Sequence, residues 1–250
     1  MRDFEESTLW HVSEYERVRQ QTGGSGFSRL RGETVLPTTL LADLHRIDRA
    51  ATGTDLLEVV AACMRHHEPA LLLLQYEQLV WPVTLFPGQM LYHSPRDLAQ
   101  APRSSLATLK LLDTEPPGVR PPGHWMHERI ALSRHYRPLS PLLWSLALYG
   151  PRSSLLAGIA GTAAYRALRD AEVEGVSLSG ALRPAALRLR RETVSLRAVS
   201  RWPGMSVERA SRLLNGLYLA SSLLATRAHP AARAEPRGLR ALWSRTRPSR

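Results

Sequence analysis

Two histidine runs are the first places where this sequence has the residue types for chemistry. In His124-Trp125-Met126-His127-Glu128 the imidazoles stand three apart, a spacing that shares one helix face and suits a metal ion. A metal site needs three or four converging ligands, however, and the H-E-x-x-H pattern of helical zinc sites is absent. His66-His67-Glu68 sends neighbouring side chains in diverging directions, and Pro69 ends the helix there. Histidines at a helix C-terminus need no further role, because the dipole favours them. His93 and His135 are isolated in the sequence.

Other reactive types fare no better. The one cysteine, Cys63, excludes an internal disulfide framework and a multi-thiolate zinc site. It falls on the apolar stripe of a helix and reads as a buried, inert thiol. Asp113 and Glu115 form an acid pair at the end of a strand candidate, with nothing converging on them in the sequence. Neither G-x-x-x-x-G-K nor G-x-G-x-x-G occurs. Gly158-x-x-Gly161 lies in an apolar stretch and reads as a close helix-packing point, and Gly23-Gly24-Ser25-Gly26 as a flexible run rather than a nucleophile elbow. The tryptophans Trp81, Trp125, Trp144 and Trp202 read as core anchors. No catalytic residue, metal or cofactor is assigned, and the reading leans away from an enzyme.

Charge gives a direction instead. The chain of 250 residues has a formal charge of +11. Residues 1–100 hold 9 Arg against 13 acids, a balance of −4, and residues 101–250 hold 24 basic against 9 acidic residues, +15. A basic C-terminal part is the footprint expected of a partner that is nucleic acid, an anionic surface or an acidic protein. Of the 33 cations 32 are Arg, Lys110 being the exception. That skew is the one a GC-rich bacterial genome would give, which weakens the inference to nucleic acid. The first residues lack the apolar core of a signal peptide. The apolar runs 70–74, 79–86, 142–149 and 155–165 all fall short of the roughly 18 residues of a membrane span. A cytoplasmic protein without a membrane span is the expectation.

The elements that must position these groups divide the chain. Residues 1–36, polar and Gly-containing, are expected as a poorly ordered lead-in with a short helix at 10–20. Pro37-Thr38-Thr39 and Gly53-Thr54-Asp55 each start a helix. Apolar runs at 70–75 and 79–86, then 90–93 and 105–112, predict short antiparallel strands, because turns this short cannot return a parallel strand. Pro82 within its run predicts an edge or a bulge. Residues 37–113 thus read as an α+β unit: a small antiparallel sheet with two covering helices. The Pro/Gly-rich stretch 114–123 reads as a linker. Helices are expected at 139–149, 153–169, 183–191, 195–201 and 206–221, making 124–230 a mainly helical domain. Residues 231–250 read as a disordered basic tail.

The most specific pattern lies at 194–224. Ser195 caps a short helix bearing Leu196, Val199 and Trp202; Pro203-Gly204-Met205 breaks it; Ser206 caps a longer helix striped by Val207, Ala210, Leu213, Leu214, Leu217 and Tyr218. With a third helix at 184–191, this segment, VSLRAVSRWPGMSVERASRLLNGLYLASSLL, resembles the winged-helix (helix-turn-helix) modules of bacterial regulatory proteins. The resemblance covers about an eighth of the chain. It implies a winged-helix-like C-terminal domain that binds either DNA or a protein. In the DNA form Arg209, Ser211, Arg212 and Asn215 face outward to read bases in the major groove. Three features favour a protein partner: Glu208 sits where phosphate would come, no second wing strand follows 222–227, and Leu217, Leu219, Leu223 and Leu224 make the helix end apolar. The sequence thus points to a non-catalytic regulatory or adaptor protein docking through Arg209, Arg212, Asn215, Leu219 and Leu223. The alternatives are a DNA-binding transcriptional regulator and an enzyme with an interdomain site.

Overall fold

A computed structural model describes residues 9–23, 35–50, 55–124, 132–168 and 178–232. It has a mixed α/β fold, with an N-terminal region of strands and helices and a more helical C-terminal stretch. The first sheet is built from β1 (Trp10–His11), β2 (Ala70–Tyr76), β3 (Leu79–Phe86), β4 (Leu91–His93), β5 (Lys110–Glu115) and β6 (Tyr136–Pro138). Its order is β5-β2-β3-β4-β6, with β1 also on β3 and every pair antiparallel. Glu77 takes a positive φ of 56° and closes the tight turn between β2 and β3.

Both faces of this sheet are covered, which explains why β2 is an unbroken apolar run rather than an alternating one. Leu72, Leu74, Trp81, Val83 and Leu85 join the main core. Above them lie α2 (Thr38–Ala50) and α3 (Leu56–His66). Asp55 caps α3 by accepting from the Leu57 and Glu58 amides at 3.0 and 3.2 Å. On the opposite face Leu71, Leu73 and Val80 meet Tyr15 of α1 (Val12–Thr22). The helix expected at 10–20 therefore belongs to a covering layer: Tyr15 is buried and Trp10 pairs with Val80, so residues 9–23 are not a loose lead-in. Residues 24–34 of that expected segment lie outside the described residues. Pro82 sits on an inner strand, and it falls in the gap between β1, which pairs at Leu79–Val80, and β4, which pairs at Thr84–Phe86. Among the described residues no strand pairs with it on that edge, so the missing N–H forfeits no bond there.

Two boundaries differ from expectation. Residues 105–112 are not one strand: Pro102 starts the short helix α4 (Arg103–Ala107), whose Ser105 and Leu106 amides donate to the Pro102 carbonyl, and β5 begins only at Lys110. The stretch 114–123 does not act as an exposed connection. Glu115–Val119 are buried, the Tyr136 hydroxyl donates to the Arg120 carbonyl, and β6 extends the first sheet beyond it.

The C-terminal stretch begins with α5 (Leu139–Tyr149), buried along most of its length. Residues 151–163 then turn irregularly and lead into β7 (Ala164–Ala167), where a helix over 153–169 was expected. Gly161 sits at φ +92°, a conformation that an α-helix does not contain. Next come α6 (Leu182–Arg191), β8 (Val194–Ser195), α7 (Leu196–Ser200), α8 (Val207–Leu219) and β9 (Leu223–Thr226). The three strands form a second antiparallel sheet in the order β8-β7-β9. The partner of β9 thus comes from upstream, not from the residues after 227. One continuous core joins the two regions, running from Leu36 through Trp144 to Leu219. Among the described residues no helix is long and apolar enough to cross a membrane. Residues 233–250 of the expected tail lie outside the described residues.

Candidate functional site

The turn between α7 and α8 is built as its residues dictate. Ser195 accepts from the Ala198 amide at 3.4 Å and Ser206 from the Arg209 amide at 3.1 Å, so each helix begins on a side-chain cap. Gly204 takes φ +72° and leaves only 2.8 Å between an added Cβ and the Cβ of Ala181. Of the expected stripe of α8, Ala210, Leu213, Leu214 and Leu217 are buried and Tyr218 is half-buried, whereas Val207 in the first turn is exposed.

The opposite face of α8 does not look outward. Gly216 lies against Trp144 of α5, where an added Cβ would come within 2.5 Å of the indole ring. The residues following α5 then wrap the same face. Asn215, fully buried, accepts from the Leu156 amide and donates to the Ser154 carbonyl, both at 2.9 Å. Ser211 is buried and donates to the Val207 carbonyl at 2.8 Å. Arg212 donates to the Leu148 and Gly150 carbonyls at 3.2 and 2.8 Å and pairs with Glu208 at 2.9 Å. The outward placement expected for Ser211, Arg212 and Asn215 is therefore corrected: α5 and the chain after it return onto that face. Leu219 is buried, which removes it from any docking surface, and Leu223 is half-buried. Arg209 is exposed, as expected, and its guanidinium donates to the Gly204 carbonyl at 2.7 Å.

A second polar cluster fastens the same connection to the N-terminal region. Arg152 pairs with the cap residue Asp55 and, at 3.0 Å, with Glu58. The Ala157 amide donates to Glu58 at 2.7 Å. Residues 150–157 are thereby gripped by α3 on one side and α8 on the other. Buried charge of this kind is tolerated only where both partners stay in place.

Beside this seam opens a cleft of about 440 Å³. Arg103 of α4, Tyr149 at the end of α5, and Ser206, Glu208, Arg209 and Arg212 of α8 line it. Gly180–Leu182 close it from the start of α6. Arg103 lies over the Tyr149 ring, 4.3 Å from its centroid, an attraction of a cation to a π face that fixes where its edge points. Of the residues singled out from the sequence, the fold thus brings Arg209 and Arg212 together, adds Arg103, and sends Asn215, Leu219 and Leu223 elsewhere.

No protein-family model, no curated protein and no solved structure matches the chain.

The chemistry of the described residues stands on its own geometry. Among them, no three metal-ligating side chains gather to hold an ion. Cys63 is buried in α3, and burial pushes its thiol up to about 12, which leaves it unreactive as a nucleophile. The histidines isolated in the sequence do meet in space. His93 and His135 are both buried with ring centroids 5.6 Å apart, and Tyr136 lies 4.9 Å from His93. Burial, helped by His135 and Arg137, lowers His93 to about 3. A neutral imidazole locked under a sheet edge is a structural group at ordinary pH. Arg103, Tyr149, Glu58 and Arg152 carry no local pattern that marks them, because each acts through a partner roughly 50 to 100 residues away. Trp125, expected as a core anchor, and Met126, His127 and Glu128, the rest of the first histidine run, lie outside the described residues.

Proposed function

We infer that the protein is a non-catalytic regulatory or adaptor protein whose C-terminal half is a winged-helix-like module that docks a protein partner. Helices α6, α7 and α8 around a tight turn, with a small sheet beside them, support the resemblance. One observation carries the choice of partner. The side chains a base-reading helix would present, Ser211, Arg212 and Asn215, are turned into the protein, whereas the small sheet exposes two leucines on its outer face. On that face Leu224 of β9 stands opposite Arg166 of β7, with Leu168 two residues on. Leu224 and Leu168 are 48% and 57% exposed. Apolar side chains grouped on an edge strand and its neighbour suit a protein surface better than a phosphate backbone.

Arg197, Arg201 and Arg209 are exposed nearby, so nucleic acid remains the competing partner. The two readings part in one experiment. The full tagged chain, purified from its native cells, is expected to bring down a stoichiometric protein that Leu168→Asp with Leu224→Asp releases. The circular dichroism and melting of that variant are expected to match the parent, since both positions are exposed. An unchanged partner set overturns the assignment. So does a gel shift of duplex DNA that weakens steeply with salt and disappears in Arg209→Ala.

A further inference from the structure

We propose that the cleft between α4–α5 and α8 binds a phosphorylated small molecule. This goes beyond the partner-docking reading and does not rest on it, because the cleft and the outer face of the small sheet share no residue. The first ground is convergence of like charge. Arg103 comes from a segment about a hundred residues before Arg209 and Arg212, yet all three guanidinium groups line one concavity, against the single carboxylate of Glu208. That leaves a lining charge of +2, an arrangement that repels itself until an anion enters. Among the described residues no carboxylate pairs with Arg103 or Arg209; Arg103 rests on the Tyr149 ring, and Arg209 spends one donor on Gly204. Glu208 is held by Arg212 and so is turned to a cation rather than left to oppose a ligand.

The second ground is that the groups are held before any ligand arrives. Tyr149 anchors Arg103, the Gly204 carbonyl Arg209, and the Leu148 and Gly150 carbonyls Arg212. A guanidinium has five N–H donors; Arg209 spends one on Gly204, and Arg212, which spends three on Glu208, Leu148 and Gly150, keeps its second terminal nitrogen for a ligand. Groups already ordered lose little freedom on binding. A phosphate dianion offers three oxygens to three planar forks and matches them better than a carboxylate, which offers two. The positive end of α8, beginning at Ser206, adds to the field in the same cleft. A volume of about 440 Å³ lies within the range of small-molecule pockets, and its concave walls suit a compact ligand rather than a nucleic-acid duplex.

The test is calorimetric titration of the full chain with inorganic pyrophosphate at near-physiological salt. Saturable binding at one site per chain is expected. Arg103→Gln and Arg209→Gln should each weaken it about tenfold or more, the loss of one charge-assisted contact. Both side chains are exposed, so these variants keep the fold. Glu208→Gln should instead tighten binding, a gain that misfolding cannot produce. Arg197→Gln, an exposed cation outside the cleft, should change nothing. Absence of saturation overturns the proposal. So does indifference to Arg103→Gln and Arg209→Gln, or an equal loss from Arg197→Gln, which would mean that the overall positive charge alone was being measured.

Discussion

Helices α3 and α8 are each buried along most of their length, but they are buried by different means. Helix α3 packs on α2 and shares the main core with Leu72, Leu74, Val83 and Leu85 of β2 and β3. At its start Asp55 is a local cap, and Asp55 and Glu58 also meet Arg152 at the seam. Helix α8 is apolar on one face only. On the other, Gly216 admits Trp144, Asn215 bonds the backbone at Ser154 and Leu156, and Arg212 bonds the carbonyls of Leu148 and Gly150. An apolar contact is non-directional and tolerates many partners; a buried amide or guanidinium has to find specific ones. Helix α3 is thus buried mainly by pattern and helix α8 by particular bonds as well, which makes the second the more fragile to single substitutions.

The largest expected effect is at the charged seam between them. Arg152→Ala leaves Asp55 and Glu58, the latter buried, without their cation. Breaking a buried pair from one side costs about 3–5 kcal/mol. Chemical denaturation of Arg152→Ala should give a loss of that size, and adding Glu58→Gln should restore part of it. If the double variant is no more stable than Arg152→Ala, uncompensated charge at Glu58 is not the cause, and the seam contributes by packing instead.

The next effect tests the closest approach of the two helical layers. Gly216→Ala places a Cβ within 2.5 Å of the Trp144 ring, which is fully buried and has no free space to yield. Overpacking of this kind costs about 1–3 kcal/mol. A lower melting temperature, relieved in part by Trp144→Leu, is the expected result. A melting temperature unchanged by Gly216→Ala would mean that α5 and α8 slide past each other freely. The contrast drawn above would then fail.

The same contrast decides how much could be read from the sequence. The sheet was legible because its signal is local: Leu72 and Leu74 face Val83 and Trp81 across a turn of two residues. The caps at Asp55, Ser195 and Ser206 were legible for the same reason. Tyr15 was missed because the face it covers is recognisable only once both sides of β2 are known to be buried. The helix expected over 153–169 failed because an apolar run does not distinguish a helix from irregular chain pinned by distant groups, here Glu58, Arg152 and Asn215. For the cleft, Arg209 and Arg212 stood out on α8, but only the fold shows that Arg103 joins them and that Asn215 does not. A periodic pattern shows which face of a helix is apolar; it does not show whether the other face meets water or more protein.

The smallest expected effect concerns one polar group of the N-terminal region, His93, buried on β4 beside His135 and Tyr136, with Arg137 adding to the field. Its folded value is lowered to about 3 from 6.5. Between those values the unfolded chain takes up a proton that the folded chain refuses, so stability must fall as pH drops below about 6.5. One such proton corresponds to a slope of at most about 1.4 kcal/mol per pH unit. Asp43, whose carboxyl is held below its ordinary range by His66, Arg65 and Arg46, contributes only below about pH 4. Denaturation midpoints between pH 7 and 5 therefore report on histidines rather than on Asp43, and the His93 variant singles out His93. The parent should lose stability across that interval, and His93→Gln should flatten the slope even if it is less stable throughout. Equal slopes in the two proteins would remove His93 as the source of the pH dependence.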